Sequence, residues 1–172
     1  MIFKENAPKF WAKNMPVVPL HGKAPVIPGW QRYNETMPTL DEMQNYVDKY
    51  GDCNMGLPLG KQSRCVALDI DSEIESEIQL IDSIVPQSPW VRVGKKGKVM
   101  MYRFNGEQTF RIKDESGRTI CELLSSKTQV VLPPSIHPDT HQPYVANCPL
   151  TDVVDQLPVL PKNIEETLYL SS

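Results

Sequence analysis

The chain has 172 residues, 40 % of them hydrophobic and 23 % charged, with a formal net charge of −3. That length supports one domain with a real core and room for two lobes, and the acidic balance excludes a protein that coats nucleic acid by bulk charge. No apolar run reaches membrane-spanning length and the start, Met1-Ile-Phe-Lys-Glu5, has no secretory h-region, so a cytoplasmic protein without a membrane partner is expected.

In chain order, the first predicted element is a helix over residues 5–13, kept short by Pro8. Residues 16–20 read as a brief strand before the loop 21–30. Thr39-Leu-Asp-Glu42 is a capping box, Leu40, Met43, Val47 and Tyr50 recur at helical spacing, and Gly51 is the stop. Residues 54–60 are extended, and Arg64-Cys-Val-Ala-Leu-Asp-Ile-Asp71 is a strand. Ser72-Glu-Ile-Glu75 reads as a second capping box, opening a helix to about residue 84 with Ile74, Ile78 and Ile81 on one face.

From there the apolar pattern has period two, over residues 90–93, 98–104, 108–113, 119–124 and 128–132. Turn signals at 94–97, Asn105-Gly106 and 115–117 separate these runs, which predicts a largely antiparallel meander. Short helices are expected near 150–156 and 163–170. A boundary between lobes would fall near 85–90. The four cysteines form no Cys-x-x-Cys pair, which argues against zinc; Cys65 and Cys121 lie within apolar strand patterns and read as core.

Four groups of residues carry chemistry. Asp69 and Asp71 point the same way at a strand end, where like charges call for a cation; Mg²⁺ or Mn²⁺ takes such hard oxygen ligands. The alternative is a turn cap and a helix start. Arg92-Val-Gly-Lys-Lys-Gly-Lys98 puts four cations around two glycines, either a phosphate cradle (Arg92, Lys95, Lys96, Lys98) or a solvated hairpin tip. Glu122 shares a period-two face with Ile120 and Leu124, so it needs a partner: a Lys or Arg in a structural bridge, or a metal. Leu132-Pro-Pro-Ser-Ile-His-Pro138 presents Ser135 and His137 on a stiff backbone suited to a triphosphate, or forms a Ser-capped turn; no Gly-x-Ser-x-Gly elbow supports a serine hydrolase.

In this order the residues resemble the bifunctional primase–polymerase domain of the archaeo-eukaryotic primase superfamily, found in phages, plasmids and integrated elements. The likeness begins with Val18-Pro-Leu-His-Gly-Lys-Ala-Pro-Val-Ile-Pro-Gly-Trp30. It continues through Asn54-Met-Gly-Leu57 and Leu68-Asp-Ile-Asp-Ser72, and ends with Val130-Val-Leu-Pro-Pro-Ser-Ile-His-Pro138 and Tyr144. The resemblance implies an α/β (α+β) primase-polymerase fold: a small α/β lobe beside a mainly antiparallel, RNA-recognition-motif-like sheet lobe, with the active site in the cleft.

It further implies template-directed nucleotidyl transfer, with Asp69, Asp71 and Glu122 as catalytic and metal-binding acids for Mg²⁺ or Mn²⁺. Arg92, Lys96, Lys98, Ser135 and His137 would bind nucleotide, the partners being a DNA template, nucleoside triphosphates and a fused or separate helicase. Trp30, Trp90 and Tyr102 are candidates to stack on bases or to fill the core. The family's small-x-His motif is missing: Met100 or Met101 stands in its place, and Lys95, Lys96, Lys98 or His137 would have to supply the charge. Two alternatives stay open, a catalytically silent nucleic-acid-binding or origin-recognition module and a metal-dependent nuclease, the latter lacking a lysine beside the Asp pair.

Overall fold

The computed structural model describes residues 1–94 and 96–172; Lys95 of the glycine loop lies outside the described residues. In chain order the elements begin with α1 (Ile2–Trp11), β1 (Val18–His21), β2 (Ala24–Pro25), α2 (Leu40–Tyr50), β3 (Asn54–Pro58), β4 (Cys65–Ile70) and α3 (Glu75–Ile84). There follow β5 (Val91–Val93), β6 (Lys98–Arg103), β7 (Phe110–Lys113), β8 (Thr119–Leu124), β9 (Gln129–Val131), β10 (Val145–Ala146), α4 (Leu150–Val153) and α5 (Ile164–Ser171). Two compact units result, one of residues 1–64 and 126–145, the other of 65–125 and 146–172. The boundary expected near 85–90 falls inside the second unit, in the turn between α3 and β5.

In the first unit α1 tolerates Pro8 and buries Phe3, Ala7 and Phe10, one stripe at helical spacing. Both halves of the first capping box are made: Thr39 Oγ1 accepts from the Glu42 amide at 3.1 Å, and Glu42 Oε1 accepts from the Thr39 amide at 2.8 Å. Glu42 Oε2 then accepts from Arg32 Nη2 at 2.8 Å and from the Tyr33 hydroxyl at 2.9 Å, tying the 3-10 turn Trp30–Asn34 to α2. The sheet runs β2-β1-β3-β9 with antiparallel neighbours.

The second unit is a sheet of order β10-β5-β6-β4-β8-β7. Val66, Leu68 and Ile70 of β4, with Tyr102, Ile112 and Leu123, share one apolar core with Ile81 of α3 and Ile164 and Leu168 of α5. Burying each such side chain contributes about 1.5–3 kcal/mol. The apolar run of β4 is explained by its place: it is central, antiparallel to both β6 and β8. This corrects the predicted meander. β4 inserts between β6 and β8, β6 and β7 are not neighbours, and β9 pairs with β3 in the other sheet.

Two local expectations also change. The second capping box does not form: Ser72 Oγ accepts from the Ile74 amide at 3.1 Å and donates to Glu77, and α3 starts only at Glu75. In β8 the register slips, Ile112 pairing with Cys121 but Lys113 with Thr119, so Ile120 is an extra residue. The bulge turns Ile120 into the core beside Cys121, away from the face it was expected to share with Glu122.

Candidate active site

One row of side chains crosses the second sheet. Arg92 is the direct partner of Val99, Val99 of Asp69, Asp69 of Glu122 and Glu122 of Arg111. Direct cross-strand partners share a face, with Cβ atoms about 4.5–5.5 Å apart. Leu68 and Ile70 point into the helix-covered core, so the alternate residue Asp69 points to the other face, and Glu122 with it. Asp71 follows directly after β4, and its amide continues the ladder by donating to Ile120 O at 3.0 Å. Two neighbouring acids and a third, Glu122, distant in sequence, thus lie near one end of a central strand.

Desolvation and then the Glu122 carboxylate hold the Asp71 carboxyl above its usual range, with Arg111 partly offsetting them, although the outer edge of Asp71 is exposed. Burial, and then Asp71 and Asp69, push the Cys121 thiol up to about 12, which makes it an inert core residue. Glu122 has a cationic partner in Arg111. Arg111 Nη2 and Nε donate to the same oxygen, Oε2, at 2.7 and 3.0 Å, leaving Oε1 without a hydrogen bond among the described residues. Sequence reasoning left Glu122 open between a basic partner and a metal, and did not single out Arg111.

The glycine loop lies against this strand end. A Cβ built on Gly97, whose φ is +59°, would sit 1.7 Å from Ile70 O and 3.6 Å from the Asp71 Cα. Only glycine permits so close an approach. The loop joins β5 to β6 as a hairpin, with Val93 opposite Lys98, and carries Lys96 exposed at its tip. Lys98 departs from expectation. It pairs with Ile70, hence faces the helices, and its Nζ is held by Asp82 of α3 at 2.9 and 3.0 Å.

Of the two methionines standing for the motif histidine, Met101 shares the acid face two residues from Val99 and is fully buried. Met100 lies on the core side, where the Tyr102 hydroxyl approaches its sulfur at 3.7 Å. Trp90 and Tyr102 are buried and serve packing; Trp30 is half-buried.

Ser135 and His137 belong to the first unit. Ser135 is fully buried, and its hydroxyl accepts from the Met55 amide at 2.9 Å and donates to Met55 O at 3.1 Å. It closes the proline-rich loop onto β3, so the expected grip on a triphosphate would require breaking this pair. Asn54 does the same work next door, donating to Gly22 O and Ile136 O and accepting from the Ile136 amide. His137 is half-buried beside the Tyr144 ring, 5.2 Å between centroids. Its Nδ1 accepts from the Asp139 amide at 3.0 Å, which assigns the ring proton to Nε2 and leaves that N–H as a donor.

A divalent cation fits the chemistry of the acid row: three carboxylates, all hard oxygen donors. The side chains are not closed around an ion as they stand, since among the described residues no group of three His, Cys, Asp or Glu is arranged to hold one.

The second sheet thus carries Asp69 and Asp71 at the end of its central strand, with Glu122 as the cross-strand partner of Asp69. The family model for the bifunctional DNA primase/polymerase N-terminal domain matches residues 7–162, and the chain belongs to this family. No curated protein matches the chain. At family level the domain means DNA primase/polymerase-type nucleotidyl transfer on DNA and nucleotide substrates, an activity that generally depends on divalent metal. Among the described residues no helix is long and apolar enough to cross a membrane.

Proposed function

We propose that this chain is the template-directed primase–polymerase domain of a phage, plasmid or other mobile-element replication protein, working with a fused or separate helicase. The observation that supports it best is the cross-strand register of Asp69 and Glu122, with Asp71 directly after the end of the Asp69 strand, in a chain of this family. The reaction joins a 3′-hydroxyl to the α-phosphate of a nucleoside triphosphate and expels pyrophosphate.

Asp69, Asp71 and Glu122 would hold Mg²⁺ or Mn²⁺, which when bound neutralises charge on the attacking and leaving oxygens. The protein's own part is positioning and charge. Arg92, in the same row as Asp69, and Lys96, in the loop whose Gly97 lies against the strand end, neutralise triphosphate or template phosphates. His137 offers Nε2–H to a phosphate oxygen. Lys98 and Ser135, engaged with Asp82 and Met55, act as supports for the framework.

Primer extension with Mg²⁺ or Mn²⁺ on a templated substrate tests the reading. The Asp69→Asn/Asp71→Asn protein should lose at least about a hundredfold in product, equivalent to roughly 2.7 kcal/mol of barrier. The buried Met101 on the acid face favours a second reading, a silent DNA-binding module. DNA binding without product in the unaltered protein would establish that one instead.

A further inference from the structure

Arg111 is the one residue of the charged row whose role the acids' chemistry does not assign. It lies on β7, at the end of the sheet order, its side chain about half exposed, and both its hydrogen bonds go to Glu122 Oε2. The backbone register pairs Asp69 with Glu122, and Asp71 follows at the strand end within reach of the Glu122 charge, yet among the described residues the three are not gathered around an ion. Arg111 also has somewhere else to go. An open groove of about 600 Å³ is lined by Arg111, Ile112, Asn163, Glu165, Glu166 and Tyr169, so two further carboxylates line a groove that Arg111 also borders.

We propose that Arg111 is a displaceable counter-ion: with no cation bound it occupies Glu122, and cation binding releases it toward Glu165 and Glu166 or toward a substrate phosphate. The inference rests on the reading that Asp69, Asp71 and Glu122 hold a divalent cation. Competition sets the sign. A guanidinium and a divalent ion seek the same carboxylate, so removing the guanidinium strengthens cation binding both by freeing a ligand and by removing like charge. The exposure of the pair limits the size of the effect.

The test is Mn²⁺ titration of the full chain, followed by calorimetry and by the paramagnetic signal of the free ion, without DNA or nucleotide. Arg111→Gln should bind Mn²⁺ roughly two- to fivefold more tightly than the unaltered protein, the range a half-exposed ion pair allows. Arg111→Lys, which keeps the charge, should stay close to the unaltered value. Asp69→Asn/Asp71→Asn should abolish binding. If the double variant abolishes binding but Arg111→Gln binds no more tightly than the unaltered protein, the counter-ion role is wrong and the acid site stands. If Mn²⁺ does not bind, or binds equally to the double variant, the acid site itself fails and the counter-ion role with it.

Discussion

Replacing Gly97 by alanine isolates the contact that fits the basic loop to the strand end bearing Asp71. Three second-unit glycines have positive φ: Gly97 at +59°, Gly106 at +89° and Gly117 at +87°. A side chain in the left-handed region costs about 1–2 kcal/mol at any of them. At Gly106 and Gly117 the new Cβ meets nothing within 4 Å, so that is the whole cost. At Gly97 it lands 1.7 Å from Ile70 O, and the loop must retreat on the order of 1.5 Å to reach van der Waals separation. Forced repacking of this kind adds about 1–3 kcal/mol. Gly97→Ala should therefore lose about 2–5 kcal/mol, against about 1–2 for Gly106→Ala or Gly117→Ala, read from urea midpoints at constant slope. A Gly97→Ala protein as stable as Gly117→Ala would refute the close approach.

Acid sensitivity should concentrate at Glu42, whose carboxyl is lowered to about 2 by the Thr39 amide, then by Arg32 and Tyr33. Its folded value lies below its unfolded one near 4.5, so its stabilisation is complete above about 4.5 and disappears as pH falls toward 2. Melting temperatures at pH 6 and pH 3 should differ less in Glu42→Gln than in the unaltered protein; parallel losses would contradict the assignment. Ser135→Ala strands the buried Met55 amide and should cost about 1–3 kcal/mol in chemical denaturation. A neutral result would mean that the hydroxyl does not close the loop.

The parts of the fold set by short-range chemistry were legible in the sequence. Thr39 and Glu42 announce α2, Gly94 and Gly97 announce the β5–β6 hairpin, and alternation places Leu68 and Ile70 inward with Asp69 outward. The Asp pair stood out because carboxylates end an apolar run. Strand order was not legible, because insertion of β4 between β6 and β8 is a long-range pairing on which period-two patterning is silent. Arg111 escaped notice for a related reason. Its register with Glu122 depends on the bulge at Ile120, and no glycine or proline marks that bulge. Ser72 shows the opposite failure: the capping-box pattern was present, but Glu77 and the Ile74 amide took the hydroxyl first.

The most direct measurement is templated nucleotide incorporation by Asp69→Asn, Asp71→Asn and Glu122→Gln taken singly, each checked for an unchanged melt. Because Glu122 is the cross-strand partner of Asp69, all three should fall together by at least about a hundredfold, with template binding retained. Full incorporation by Glu122→Gln, with both aspartate variants dead, would show that the third acid belongs to Arg111 alone and not to the chemistry.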